Sequence, residues 1–190
     1  FNSPLWETLP SYNNLGSLEF GVGQRLWNNL EPNFDNITGY TLFWVFNTSS
    51  VSTTQFMLAS TTQNPTTNDA KIFIIMNSDA TLELQYVNSA VTRRFAGWTT
   101  DVNLLTVIYN GSLTDSERFK VRVNGVVTSP SQSTGLWPTS MSGLYGLSIS
   151  SPSGGLPLLG NVGALKLYNS AIDASEITTV ENELMTKFGI

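Results

Sequence analysis

The last twenty residues, AIDASEITTVENELMTKFGI, form a helix signature complete at both ends in a chain that otherwise reads as strands. Asp173 suits an N-cap, its carboxylate accepting a backbone N–H, and Glu176 three residues on suits the partner position of a capping box. Ile172 and Ile177 stand at hydrophobic-staple spacing, while Ile177, Val180, Leu184 and Phe188 share one stripe. Glu183 and Lys187 are spaced as a favourable i,i+4 pair. Gly189 then suits a left-handed cap that lets Ile190 fold back on Met185. This predicts a helix at about 173–188. An isolated helix of roughly 14 residues is marginal in water, so its stripe must lie against a sheet or a sheet edge.

The remainder supplies the sheets. In YTLFWVFN, Tyr40, Leu42, Trp44 and Phe46 share one face of an extended strand, and Phe43 and Val45 share the other. Apolar residues on both faces predict a central strand covered on both sides. KIFIIMN and TLELQYV, joined through Asn77, Ser78 and Asp79, read as a hairpin, with Leu82, Leu84 and Tyr86 alternating against Thr81, Glu83 and Gln85. FKVRVNGVV reads as a two-residue hairpin on Asn124-Gly125, with Phe119, Val121 and Val123 inward and Lys120 and Arg122 outward. NLLTVIYNGS, LYGLSIS and GALKLYN add strands, and TTQNPTTND and SPSQSTGLWPTS read as surface loops. Short strands recurring from about Leu15 to Tyr168 predict two packed antiparallel sheets, because one open sheet this wide leaves a face unburied. The fold class is therefore all-β: a two-sheet antiparallel sandwich with one C-terminal helix.

Composition narrows the chemistry. At 190 residues with no obvious linker, residues 1–190 are expected to form a single domain. The first residue, Phe1, is neither Met nor part of a charged leader pattern, which suggests a processed product or a domain excised from a longer chain. Only 12% of residues are charged, so Ser, Thr, Asn and Gly must cover the surface, as suits an extracellular or virion-surface protein. A formal net charge of -5 disfavours a nucleic-acid partner. No apolar run approaches the roughly 18 residues of a membrane span. With no Cys and no His, disulfides, thiolate metal sites, imidazole bases and the usual zinc ligands are excluded, leaving carboxylates as the means of any catalysis.

The stretch from Gly160 to Ile190, GNVGALKLYNSAIDASEITTVENELMTKFGI, resembles the close of the concanavalin A-like jelly rolls, and among them the laminin G-like modules. SLEF (Ser17 to Phe20), YTLFWVFN (Tyr40 to Asn47), LTVIYNGS (Leu105 to Ser112) and FKVRVNGV (Phe119 to Val126) fall in that family's order across nearly the whole chain. The resemblance implies a jelly-roll sandwich whose concave face or rim carries a ligand, commonly a glycan or another protein. It fixes no single activity, because the fold hosts lectins, enzymes, adhesion modules and coat components. Glycoside hydrolases of this fold carry E-x-D-x-x-E on a strand, and Glu83 in TLELQ has no acidic partner at that spacing. Laminin G-like modules often hold calcium through Asp, but Asn110 stands before Gly111 where Asp is frequent, so calcium is not supported and no cofactor is expected.

Four residues are candidates for ligand contact. Trp98 in RRFAGWTTD and Trp137 in TGLWPTS lie in or beside loop-like stretches where an indole face can meet a sugar or a subunit, whereas Trp44 belongs to the core. Trp6 and Trp27 complete the set of five Trp. Arg93 and Arg94 suit an acidic glycan or a neighbouring subunit's carboxylate, against the plainer alternative of a solvated strand end. Glu181 and Glu183 point in different directions on the helix and are expected to serve solubility. The expectation is a non-catalytic structural or adhesive surface module, foremost a phage or virus particle component such as a capsid decoration or fibre protein. A secreted or cell-surface carbohydrate-binding module is the alternative, and a glycoside hydrolase comes third. Expected partners are other virion or surface proteins and glycans, and strand edges leave homo-oligomers open.

Overall fold

The computed structural model describes residues 5–8, 16–20, 26–29, 36–61, 72–86, 91–142, 146–149 and 156–190. In chain order its strands are β1 (Leu5–Thr8), β2 (Gly16–Phe20), β3 (Leu26–Asn29), β4 (Gly39–Thr48), β5 (Gln55–Thr61), β6 (Ile72–Met76) and β7 (Leu82–Tyr86). They continue with β8 (Val91–Phe95), β9 (Asn103–Asn110), β10 (Phe119–Val123), β11 (Val126–Thr128), β12 (Gln132–Thr134), β13 (Gly146–Ile149) and β14 (Gly160–Tyr168). The helices are α1 (Asp115–Arg118) and α2 (Ala174–Phe188). Among the described residues two seven-stranded sheets result, β1-β2-β14-β4-β9-β10-β11 and β12-β8-β7-β6-β5-β13-β3, and all their pairings are antiparallel. They form the expected jelly-roll-type sandwich with one C-terminal helix.

β4 lies at the centre of the first sheet, between β14 and β9. Its Tyr40, Leu42, Trp44 and Phe46 join the core between the sheets, while Phe43 and Val45 join a second core on the outer face. Both sets are buried because apolar side chains at every position from Leu42 to Phe46 leave neither face fit for water. The second core also holds Leu104 of β9 and the stripe Ile177, Val180, Leu184 and Phe188 of α2, so the helix docks on the outer face of the first sheet. Burying each such side chain stabilises the docking by about 2 kcal/mol, which a lone helix lacks.

The ends of α2 are set as its sequence directs. The Glu176 N–H donates to Asp173 Oδ1 at 2.8 Å, Ile172 packs against the cluster holding Ile177, and Gly189 adopts φ 71°. The Ile190 N–H donates to the Met185 carbonyl at 3.0 Å, which closes the last turn. Glu183 reaches Lys166 of β14 at 3.2 Å. Glu181 is a correction: it is 1% exposed and chelated by Arg122 of β10, with Nε 2.9 Å from Oε1, so it fastens the helix to the sheet. The partner comes from a strand 59 residues away, beyond the reach of helix periodicity.

The hairpins hold. β6 and β7 pair as Ile72↔Tyr86 through Met76↔Leu82, closed by the Asn77 N–H to Thr81 carbonyl bond of 2.9 Å. β10 and β11 pair as Val123↔Val126 across Asn124 (φ 49°) and Gly125 (φ 78°), the positive-φ pair that a type I′ turn needs. SPSQSTGLWPTS is not wholly loop, since its Gln132–Thr134 forms the edge strand β12. The loop expected at TTQNPTTND lies outside the described residues beyond Thr61, as do the side chains of Trp6 and Trp27. No helix among the described residues is long and apolar enough to cross a membrane.

Candidate functional site

β8 organises the chemistry, because consecutive residues of a strand face opposite ways. Val91 and Phe95 belong to the core between the sheets, and Arg93 shares their side; Thr92 and Arg94 face outward. Ladders on either side extend both sets. β7 places Glu83 opposite Arg94 and Gln85 opposite Thr92, while edge strand β12 places Gln132 opposite Arg94 and Ser133 opposite Arg93. Two recesses follow, one on each side of β8.

The outer recess is a groove of about 350 Å³ lined by Glu83, Gln85, Thr92, Arg94, Gln132, Ser133 and Thr134. All seven side chains can donate or accept hydrogen bonds and none is aliphatic. Glu83 is its fixed point, 3% exposed although it sits on the sheet's outer face. Its Oε2 accepts from Arg94 Nε at 2.6 Å and from Asn77 Nδ2 at 3.0 Å, and its Oε1 accepts from Gln85 Nε2. Among the described residues Arg94 donates only through Nε, which leaves both terminal nitrogens without a bond on a side chain 36% exposed. The groove's charges, one guanidinium and one carboxylate, cancel.

The inner recess is a cleft of about 330 Å³ between the sheet edges, with Arg93, Asp115, Ser116, Phe119, Ser133 and Trp137 among its walls. Arg93 donates through Nη1 to the Thr92 and Thr134 carbonyls (3.0 and 2.6 Å) and through Nη2 to the Gly135 carbonyl (3.3 Å). Its guanidinium carbon lies 6.0 Å from the Trp137 ring centroid, and Asp115 lies 3.9 Å from Nη2. Burial pulls the Arg93 pKa down, and the opposing attraction of Asp115 does not restore it. Beneath the cleft, the Tyr109 hydroxyl donates to the Pro138 carbonyl at 2.8 Å. Its pKa is pushed up to about 12, first by burial, with Arg118 opposing and Tyr86 adding.

The exposed aromatic platforms expected at Trp98 and Trp137 are corrected by the structure. Trp98 is 7% and Trp137 1% exposed, both within the core between the sheets. Trp98 stacks on Phe46 at 5.5 Å, and Trp137 stacks on Phe119 at 4.1 Å with the ring planes 4° apart. α1 fixes Trp137 by its backbone: the Trp137 N–H donates to Asp115 Oδ1 at 2.7 Å, and its carbonyl accepts from Arg118 Nη1 at 2.6 Å. Both residues do lie in irregular segments, but these segments turn their rings inward to close the sandwich. Of the four sequence candidates, Arg93 and Trp137 meet in the cleft, Arg94 lies in the groove, and Trp98 lines neither recess. Arg93 and Arg94 are not a solvated strand end, since β8 is paired on both sides.

Glu83 and Asp115 were not among the sequence candidates. Glu83 was legible from register: with Tyr86 opposite Val91, a regular hairpin sets Glu83 against Arg94. Among the described residues, no group of three or more acidic side chains gathers as a metal site.

No protein-family model matches the chain, and no curated protein matches it in sequence. Solved structures do share its fold. A chain of botulinum neurotoxin type C, whose cell entry is described as dependent on two ganglioside molecules, superposes with a TM-score of 0.67 at 11% identity over 95% of this chain and 45% of that one. The CBM40 of the Ruminococcus gnavus IT-sialidase, bound to α2,3-sialyllactose, gives 0.59 at 13% identity over 87% of this chain and 95% of that one. A Trypanosoma rangeli sialidase in complex with the inhibitor DANA gives 0.62 at 16% identity, covering 93% of this chain and 28% of that one. The chain thus spans less than half of the toxin and sialidase chains, and at these identities the likeness is one of fold.

Proposed function

We propose that this chain is a non-catalytic glycan-binding module working outside the cell, with its site in the groove on the outer face of the second sheet. The carrying observation is a recess of about 350 Å³ lined entirely by hydrogen-bonding side chains around a buried, multiply bonded Glu83. A sugar presents hydroxyls that both donate and accept. Arg94 offers its terminal N–H groups, and Gln85 and Gln132 offer amides that do both. Glu83 holds Arg94 and Gln85 in place before a ligand arrives, which lowers the ordering cost of binding.

The first sheet's outer face is closed by α2, whereas the groove on the second sheet's outer face is open to solvent at Arg94 and Gln132. The likeness to a sialyllactose-bound CBM40 and to a toxin chain tied to gangliosides supports glycans as the ligand class. A binding rather than a hydrolytic role is supported by the separation of Glu83 and Asp115 into different recesses, where they do not flank one glycosidic bond. We read residues 1–190 as one concanavalin A/laminin G-like domain. The virion surface is the second reading of where it works, favoured by a composition only 12% charged; other virion or surface proteins, or a second copy, would then be further partners.

A glycan array followed by calorimetry tests the groove. Wild type is expected to bind, with Arg94→Ala weakening the best ligand by about tenfold or more, the worth of one or two charge-assisted hydrogen bonds. An empty array, or affinity untouched by both Arg94→Ala and Gln132→Ala, overturns the assignment.

A further inference from the structure

The groove and the cleft adjoin at Ser133, on the three-residue edge strand β12; each is lined by one arginine and one carboxylate, but a further arginine, Arg118, stands behind the cleft. The groove's single ion pair is balanced. Around the cleft, Asp115 stands between two guanidinia, 3.9 Å from Arg93 and 4.0 Å from Arg118, so the local sum is one positive charge. Glu117 and Lys120 nearby pair with each other at 2.6 Å and leave that sum unchanged.

Arg93 is also the less neutralised cation, with its nearest carboxylate at 3.9 Å where Arg94 has one at 2.6 Å. Among the described residues the hydrogen bonds of Arg93 use both Nη1 protons and one on Nη2, leaving the Nε–H and one Nη2–H of the five N–H groups without a bond. The partners it has are carbonyls, which solvate a charge without neutralising it. Its side chain is only 11% exposed, and the cleft is where a further partner can reach it.

We propose that the cleft is an acid subsite, in which Arg93 receives the carboxylate of an acidic saccharide whose neutral units occupy the groove. This rests on the glycan-binding role of the groove and adds the ligand's chemical class. A carboxylate brings the one negative charge that balances the cluster, and its planar oxygens match guanidinium N–H groups. The cleft's volume of about 330 Å³ lies within the range of roughly 300–1,000 Å³ usual for small-ligand sites. Ser116, exposed at the opening on α1, and Ser133 supply hydroxyls for the rest of the acid unit. Trp137 takes no ligand on its face, because that face is stacked on Phe119. It forms a rigid apolar floor under Arg93.

The test is calorimetry on the whole chain, comparing the best neutral glycan of the array with its carboxylate-bearing counterpart, lactose against 3′-sialyllactose being the first pair. Wild type is expected to bind the acidic member roughly 10- to 100-fold more tightly, with the margin shrinking as salt is raised. Ser116→Glu places a second carboxylate at the opening without touching the core. It is expected to abolish the margin while neutral binding stays, and Arg93→Gln is expected to do the same. If Arg93→Gln proves poorly folded by circular dichroism, Ser116→Glu decides alone. Neutral binding with no acidic margin in wild type, or a margin that survives Ser116→Glu, overturns the acid subsite and leaves the groove standing. Binding of neither member, with an empty array, overturns the groove itself.

Discussion

Two arginine–glutamate pairs lie on the outer faces of the two sheets, and they differ in what covers them. On the back, Arg122 meets Glu181 under α2, engaging Nε and both Nη2 protons, the latter going to Glu181 and to the Gly125 carbonyl at 2.9 and 2.6 Å. On the front, Arg94 meets Glu83 through Nε alone and keeps its terminal nitrogens for the groove. The carboxylates are alike, 1% and 4% exposed at the side chain, but Arg122 is 23% and Arg94 36% exposed. One chemistry thus serves two ends: a pair bonded through three N–H groups fastens a helix, and a pair bonded through Nε alone leaves its terminal nitrogens open to the groove.

The sharpest way to break this comparison is to remove each arginine in turn. Arg122→Ala strands Glu181 beneath the helix and is expected to lower stability by about 3 kcal/mol, read from urea unfolding. Arg94→Ala is expected to cost about 1–2 kcal/mol, because Asn77 and Gln85 still donate to Glu83, and to weaken glycan binding at the same time. Equal losses of stability in the two variants, with binding unchanged in both, would erase the distinction. A smaller effect sharpens it: Arg122→Met combined with Glu181→Leu is expected to stay within about 1 kcal/mol of wild type, since apolar packing can replace a largely buried ion pair. Smallest of all, Gln132→Ala on the exposed edge strand is expected to change stability by under about 0.5 kcal/mol while still lowering affinity, which separates ligand contact from folding.

Much of the fold was legible because it is written locally. The two-faced pattern of Tyr40 to Phe46, the Asn124-Gly125 turn and the caps at Asp173 and Gly189 each depend on neighbours within a few residues, and each formed as read. The site was legible only in part. Arg93 and Arg94 were picked out, but their assignment to two recesses depends on the register of β8 with β7 and β12. Trp98 and Trp137 misled because Gly97, Gly135 and Pro138 give their segments loop character, while burial is decided by Phe46 and Phe119, far off in sequence. Glu181 misled likewise: a helix wheel sets its direction, and only the sheet beneath supplies Arg122.

The double commitment of β4 also bears on how this protein could be diversified. A strand whose Trp44 and Phe46 serve one core while Phe43 and Val45 serve another has no position at which a new side chain goes unnoticed. β12 is its opposite, with three exposed residues held to β8 by their backbone ladder. Randomising Gln132 and Thr134 together with Thr92 would therefore vary the lining of the groove while sparing the architecture, so a library that seeks sugar binders belongs at that margin of the second sheet.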